Sequence, residues 1–166
     1  MMTVTFGGER LTLAGEQLKV GDVLPTVTAF DNNMLAFNTS ETNGSRVFLT
    51  VPSLDTPVCD LEVRTFNERA AELSGVSIYC LSVDLPFAQA RWCGSAGIES
   101  VKVLSDYNGA EFGRATGTFI KELALLTRAV FVVDAANQVV YTEYVSEITE
   151  QPDYDAALLA VKKIAG

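Results

Sequence analysis

Apolar residues come in short blocks separated by polar breaks, and two spacings alternate along the chain. Val4-Thr5-Phe6 and Leu11-Thr12-Leu13 flank Gly7-Gly8-Glu9 and predict an N-terminal β-hairpin. Val27 to Phe30 predicts a short strand, and the polar stretch Asn38 to Ser45 a loop. Val47-Phe48-Leu49-Thr50-Val51 is a continuous apolar run closed by Pro52, as in a strand covered on both faces. The period then changes. Val58, Leu61, Phe66, Ala70 and Leu73 recur at roughly helical spacing from about Cys59, with Gly75 placed as a C-cap.

Val76 to Val83 is rich in β-branched residues and predicts a second core strand. Pro86 suits the first turn of a helix carrying Phe87 to Cys93 and ending near Gly94. Val101 to Leu104 predicts a strand and Ala110 to Ala115 a short helix. Ala129 to Val133 and Val139 to Val145 form a hairpin pattern around Ala135-Ala136-Asn137-Gln138. Asp153 to Ala165 closes the chain as a helix, with Asp153 and Asp155 at its positive end and Lys162 and Lys163 at its negative end. Alternating strands and helices with short links indicate one layered α/β domain over residues 1–166, and the closing hairpin makes its central sheet mixed.

Composition narrows the chemistry. A formal charge of −9 disfavours nucleic acid or an anionic membrane as partner, because either would repel it. No apolar run approaches the ~20 residues of a membrane span, and Met1 to Phe6 lacks signal-peptide features. A soluble, cytoplasmic protein is the expectation. The chain has no histidine, which removes every histidine base and histidine metal site. Its three cysteines, Cys59, Cys80 and Cys93, show no C-x-x-C spacing. They are either inert core residues or reactive thiols.

Cys59 stands where a loop, Pro52-Ser53-Leu54-Asp55-Thr56-Pro57-Val58, leaves a core strand and enters a helix. Unpaired N–H groups and the positive helix end favour a thiolate there. An ordinary thiol, with a pKa about 8.5, is only a few per cent ionised at neutral pH. Making the thiolate dominant requires roughly 3 kcal/mol, and a helix end supplies only about 0.3–1 kcal/mol. Asp55 and Asp60 oppose it, so a cation from elsewhere in the fold is required. Arg64, Arg91 and Arg128 are the rivals for that role. Thr56, three residues before Cys59, can offer a hydroxyl in the same turn or cap the helix. Cys93 ends a short helix beside Gly94, where the chain could loosen, or is an apolar core thiol, and Cys80, inside its strand, reads as packing.

Pro52-x-x-x-Thr56-x-x-Cys59 resembles the active-site motif of the peroxiredoxins. Ser82 to Cys93, with Leu85-Pro86-Phe87-Ala88-Gln89-Ala90-Arg91-Trp92-Cys93, is similar to the second-cysteine segment of the bacterial thiol peroxidase branch. Leu126 to Asp134 resembles its arginine-bearing strand, and Glu147-Ile148-Thr149 with Pro152-Asp153-Tyr154 the approach to its last helix. The resemblance spans nearly the whole chain and implies a thioredoxin-like sandwich. It implies that Cys59 attacks peroxide, Thr56 orients it, Pro52 shields the pocket, Arg128 activates the thiolate and Cys93 resolves the product as a Cys59–Cys93 disulfide. Hydrogen peroxide and organic hydroperoxides as substrates, thioredoxin as reductant and a homodimer follow from the same resemblance, with no metal or bound cofactor. Trp92 departs from the more usual phenylalanine, and Asp60 and Glu62 make the helix start acidic.

A redox-switch interaction protein without useful turnover is the alternative reading. An inert α/β module would leave the clustered motifs unexplained. If Cys59 begins one helix and Cys93 ends another, a disulfide requires local unwinding, because it needs Cα atoms roughly 4.4–6.8 Å apart.

Overall fold

A computed structural model describes residues 2–70 and 72–165. The chain begins with strands β1 (Thr3–Phe6), β2 (Glu9–Ala14), β3 (Thr28–Phe30) and β4 (Ala36–Asn38), then a 3₁₀ turn at Thr39–Glu41. Next come β5 (Ser45–Thr50), α1 (Pro57–Ala70), β6 (Val76–Ser82), α2 (Pro86–Ala96) and β7 (Val101–Ser105). The last part holds α3 (Glu111–Thr116), β8 (Phe119–Ile120), β9 (Leu125–Leu126), β10 (Ala129–Val133), β11 (Val139–Tyr144) and α4 (Tyr154–Ala165).

The predicted N-terminal hairpin is present. Phe6 pairs with Glu9, so only Gly7 and Gly8 form the link, both at positive φ (57° and 89°), as a tight hairpin turn demands. β8 and β9 join it, giving a four-stranded sheet ordered β1-β2-β8-β9 over Val4, Leu11, Leu13, Ile120 and Ile148.

The larger sheet is mixed, in the order β11-β10-β5-β6-β7-β3-β4. β5, β6 and β7 run parallel, while β10 pairs antiparallel with β5 and β3 with β7. Every residue of β5 and β10 is buried, since both faces are covered. Val47, Leu49, Val130 and Val132 pack with Val63 and Phe66 of α1 and Ala157 and Val161 of α4. Phe48, Phe131 and Val133 face the other way, onto Phe112 of α3, Leu18 and Leu24. The α/β sandwich read from the element order is this arrangement. Among the described residues no helix is long and apolar enough to cross a membrane.

Several boundaries differ from the sequence reading. The buried stripe of α1 is Cys59, Glu62, Val63 and Phe66, at helical i, i+3, i+4, i+7 spacing. Val58 and Leu61 lie off that stripe, and Leu61 is 54% exposed. Helix α1 ends at Ala70. Leu73 packs on the core from the turn beyond it, and Gly75 (φ 73°) leads into β6 instead of capping the helix. Helix α2 passes through Gly94 to Ala96, and its left-handed cap is Gly97, whose N–H bonds the Cys93 carbonyl. Cys93 thus lies within the last turn of α2 rather than at its end. Asp153 is the cap of α4, accepting the Ala156 N–H at 3.0 Å, and not part of the helix.

Candidate active site

Thr56 starts the site. Its Oγ1 accepts the Cys59 N–H at 3.4 Å from the position before Pro57, so Thr56 is the N-cap and proline occupies the first helical turn. The hydroxyl donates to the Ser53 carbonyl at 3.0 Å, tightening the loop behind it. Asp84 holds the same loop from the β6–α2 corner. Its two carboxylate oxygens accept Ser53 Oγ at 2.7 Å and the Leu54 N–H at 2.8 Å. Gln151 donates to the Val58 carbonyl at 3.0 Å, bracing the first turn of α1 from the segment before α4. Pro52 is buried at the head of this loop.

Cys59 has no exposed surface, and its sulfur lies 3.3 Å from Nη2 of Arg128. Arg128, 2% exposed, immediately precedes β10. Its Nε and Nη2 donate to the Ile148 carbonyl at 3.0 and 2.9 Å, and its Nη1 meets Glu62 Oε2 at 2.6 Å. The guanidinium is therefore held by the Ile148 carbonyl, which accepts from Nε and Nη2, and by Glu62 at Nη1. Burial alone would lower its pKa, but the Glu62 carboxylate and Cys59 sulfur outweigh that and raise it. Arg128 stays charged.

Glu62 is fully buried, and burial pushes its carboxyl up to about 7 even though Arg128 pulls the other way. Its second oxygen, Oε1, has no hydrogen-bond partner among the described residues. Glu62 is thus the orienting partner of Arg128, not a surface acid. Asp60 turns to another face of α1 and pairs with Arg64 at 2.8 Å. Of the three rival cations, Arg64 is engaged there, Arg91 is exposed and Arg128 reaches the sulfur.

Cys59, Thr56 and Arg128 come together, whereas Cys93 borders a groove with Ile98, Val101 and Val103. It is half-buried on α2, and burial raises its pKa, partly offset by a hydrogen bond from Asn32. All three cysteines are free thiols. Burial pushes the Cys80 thiol well up, with Glu62 adding to the effect, as suits a packed core residue.

Residues 19–158 match the Redoxin family. A thiol peroxidase of Clostridium acetobutylicum is 55% identical over 161 residues, covering 97% of this chain and 98% of its own length. The chain belongs to the redoxin family, among its peroxiredoxin-type thiol peroxidases. A thiol peroxidase of Bacillus subtilis is 47% identical over 165 residues, covering 99% of each chain. A solved peroxiredoxin-like protein from Aquifex aeolicus superposes with a TM-score of 0.93 at 39% identity, over 99% of this chain and 98% of that one.

Two features of this peroxiredoxin site were missed in the sequence. Glu62 carried a usable signal: three residues after Cys59 on a helix, it shares that thiol's face. Asp84 carried none, because its partner Leu54 is 30 residues away in the chain.

Proposed function

We propose that the protein reduces hydrogen peroxide and organic hydroperoxides through Cys59. The Cys59 thiolate attacks one peroxide oxygen and the O–O bond breaks. Sulfur becomes a sulfenic acid, and the other oxygen leaves as water or alcohol after taking a proton. Charge builds on that leaving oxygen, and Arg128, fixed beside the sulfur, is placed to stabilise it together with the thiolate. Thr56 supplies a hydroxyl donor at the same turn once its bond to Ser53 is exchanged for peroxide. Pro52 keeps bulk water from the pocket.

Cys93 then displaces hydroxide from the Cys59 sulfenic acid, giving an intramolecular disulfide and water. A thioredoxin-type dithiol reduces it, in the cytoplasm, and the working unit is a homodimer. Family membership supports the reductant. The observation that carries the reading is the buried Arg128 guanidinium at 3.3 Å from a thiol in the first turn of a helix. The test is Cys59→Ser assayed with thioredoxin, its reductase and NADPH. Peroxide-dependent NADPH oxidation should vanish, and normal turnover by that variant would overturn the proposal.

A further inference from the structure

The two thiol-bearing helices are joined by a side-chain cluster with no part in the first chemical step. Asp60 follows Cys59 on α1, and Trp92 precedes Cys93 on α2. Trp92 Nε1–H donates to Asp60 Oδ1 at 2.8 Å. Arg64 Nε donates to the other oxygen of Asp60, also at 2.8 Å, and its guanidinium carbon lies 5.9 Å from the centre of the Trp92 ring. Each member touches the other two.

Neighbouring residues on a helix point about 100° apart. When Asp60 and Trp92 face each other across the two helices, their neighbours Cys59 and Cys93 are turned elsewhere. Cys59 faces Arg128 at the head of β10. Cys93 borders a groove with Ile98, Val101 and Val103, on β7 and its approach. A disulfide needs Cα atoms roughly 4.4–6.8 Å apart, and with Cys59 turned to Arg128 and Cys93 to this groove, forming it disturbs the Asp60–Trp92 contact between the two helices.

The helix built to move is α2. Of its residues only Pro86 and Gln89 are buried, whereas α1 buries Cys59, Glu62, Val63 and Phe66. A cavity of about 370 Å³ lies between Leu54 and Asp55 of the loop and Ala88, Arg91 and Trp92 of α2. Few packed contacts and an adjacent void mark a segment of low local stability.

We propose that Asp60 is a positioning residue that latches α2 through Trp92, with Arg64 holding its carboxylate, and so sets the rate of the resolving step. The inference rests on the Cys59–Cys93 pairing proposed above. While the latch is closed, the Cys59 sulfenic acid waits. Opening lets the Cys93 thiol attack it, forming the S–S bond and releasing water. A second hydroperoxide competes during the wait, oxidising the sulfenate to sulfinate and leaving as alcohol or water. The latch thereby fixes how much peroxide the enzyme tolerates before it is inactivated.

Trp92→Phe keeps the ring and removes only the N–H. Asp60→Asn keeps the shape and removes the charge that holds Arg64. Both are mixed with peroxide, acid-quenched, alkylated and mapped by mass spectrometry. Trp92 is the chain's one tryptophan, so its fluorescence also follows α2 in the wild type and in Asp60→Asn. Disulfide formation should be roughly tenfold faster in Trp92→Phe, or about 1.4 kcal/mol, with a smaller gain in Asp60→Asn. The sulfinic fraction at high peroxide should fall in step, while the rate of Cys59 oxidation stays within about twofold. Wild-type resolution rates and sulfinic yields in both folded variants would overturn the latch alone. Absence of any Cys59–Cys93 disulfide in the wild type would instead overturn the pairing, and the latch with it.

Discussion

Replacing Arg128 with methionine keeps the side chain's length and removes its charge. At 3.3 Å the attraction between guanidinium and thiolate is about 5 kcal/mol for an effective dielectric constant of about 20. Part of that is already shared with Glu62, which lies 2.6 Å from the same guanidinium. The substitution leaves Glu62 buried without a cation, but its carboxyl, already pushed up to about 7, then takes a proton. No stranded anion remains beside the sulfur, so the fold should survive. Assigning about half of the gross attraction to the net effect gives roughly 3 kcal/mol, or about a hundredfold loss in the rate of Cys59 oxidation at pH 7. Stopped-flow competition for peroxide measures that rate. A folded Arg128→Met variant that reacts within about threefold of the wild type would refute the reasoning. Arg64 would then be the next cation to test.

Glu62→Gln should change the pH dependence of stability. The folded protein holds the Glu62 proton up to about 7 against an ordinary value of 4.5, so it binds more protons than the unfolded chain between those values. Stability therefore falls as pH rises across that window, by up to about 3 kcal/mol, and glutamine should flatten the fall; parallel denaturation curves for the two proteins would count against it. Asp84→Ala frees Ser53 and the Leu54 N–H, and should cost about 1–3 kcal/mol in urea unfolding while slowing Cys59 oxidation severalfold. Cys80→Ala should cost about 1 kcal/mol through a small cavity and leave steady-state peroxidase activity within about twofold, since Cys80 only packs in the core.

The parts legible in the sequence were those whose signal is local. The Val47–Val51 run reads as a strand buried on both faces because α1 and α4 cover one face and Phe112, Leu18 and Leu24 the other. The charges of α4 sort along its dipole as its sequence does. Cys59 at a helix start was readable from Pro57 and Thr56, which are the first helical residue and its cap. Strands β4, β8 and β9 were not, because two or three residues become a strand only through partners far away in the chain. The end of α1 was overrun because Leu73 continues the apolar pattern while packing from a turn. The acidic helix start misled for a related reason. One of its carboxylates is a core-facing ion-pair partner and the other belongs to a contact between helices, and pattern alone does not separate such positions from solvent.

The most direct test of the central claim is peptide mapping by mass after one equivalent of hydrogen peroxide is added to the reduced protein. The account predicts loss of two hydrogens from the intact chain, with the peptides of Cys59 and Cys93 joined and Cys80 still a free thiol. Oxidation confined to Cys80 or Cys93, with Cys59 unmodified, would contradict it.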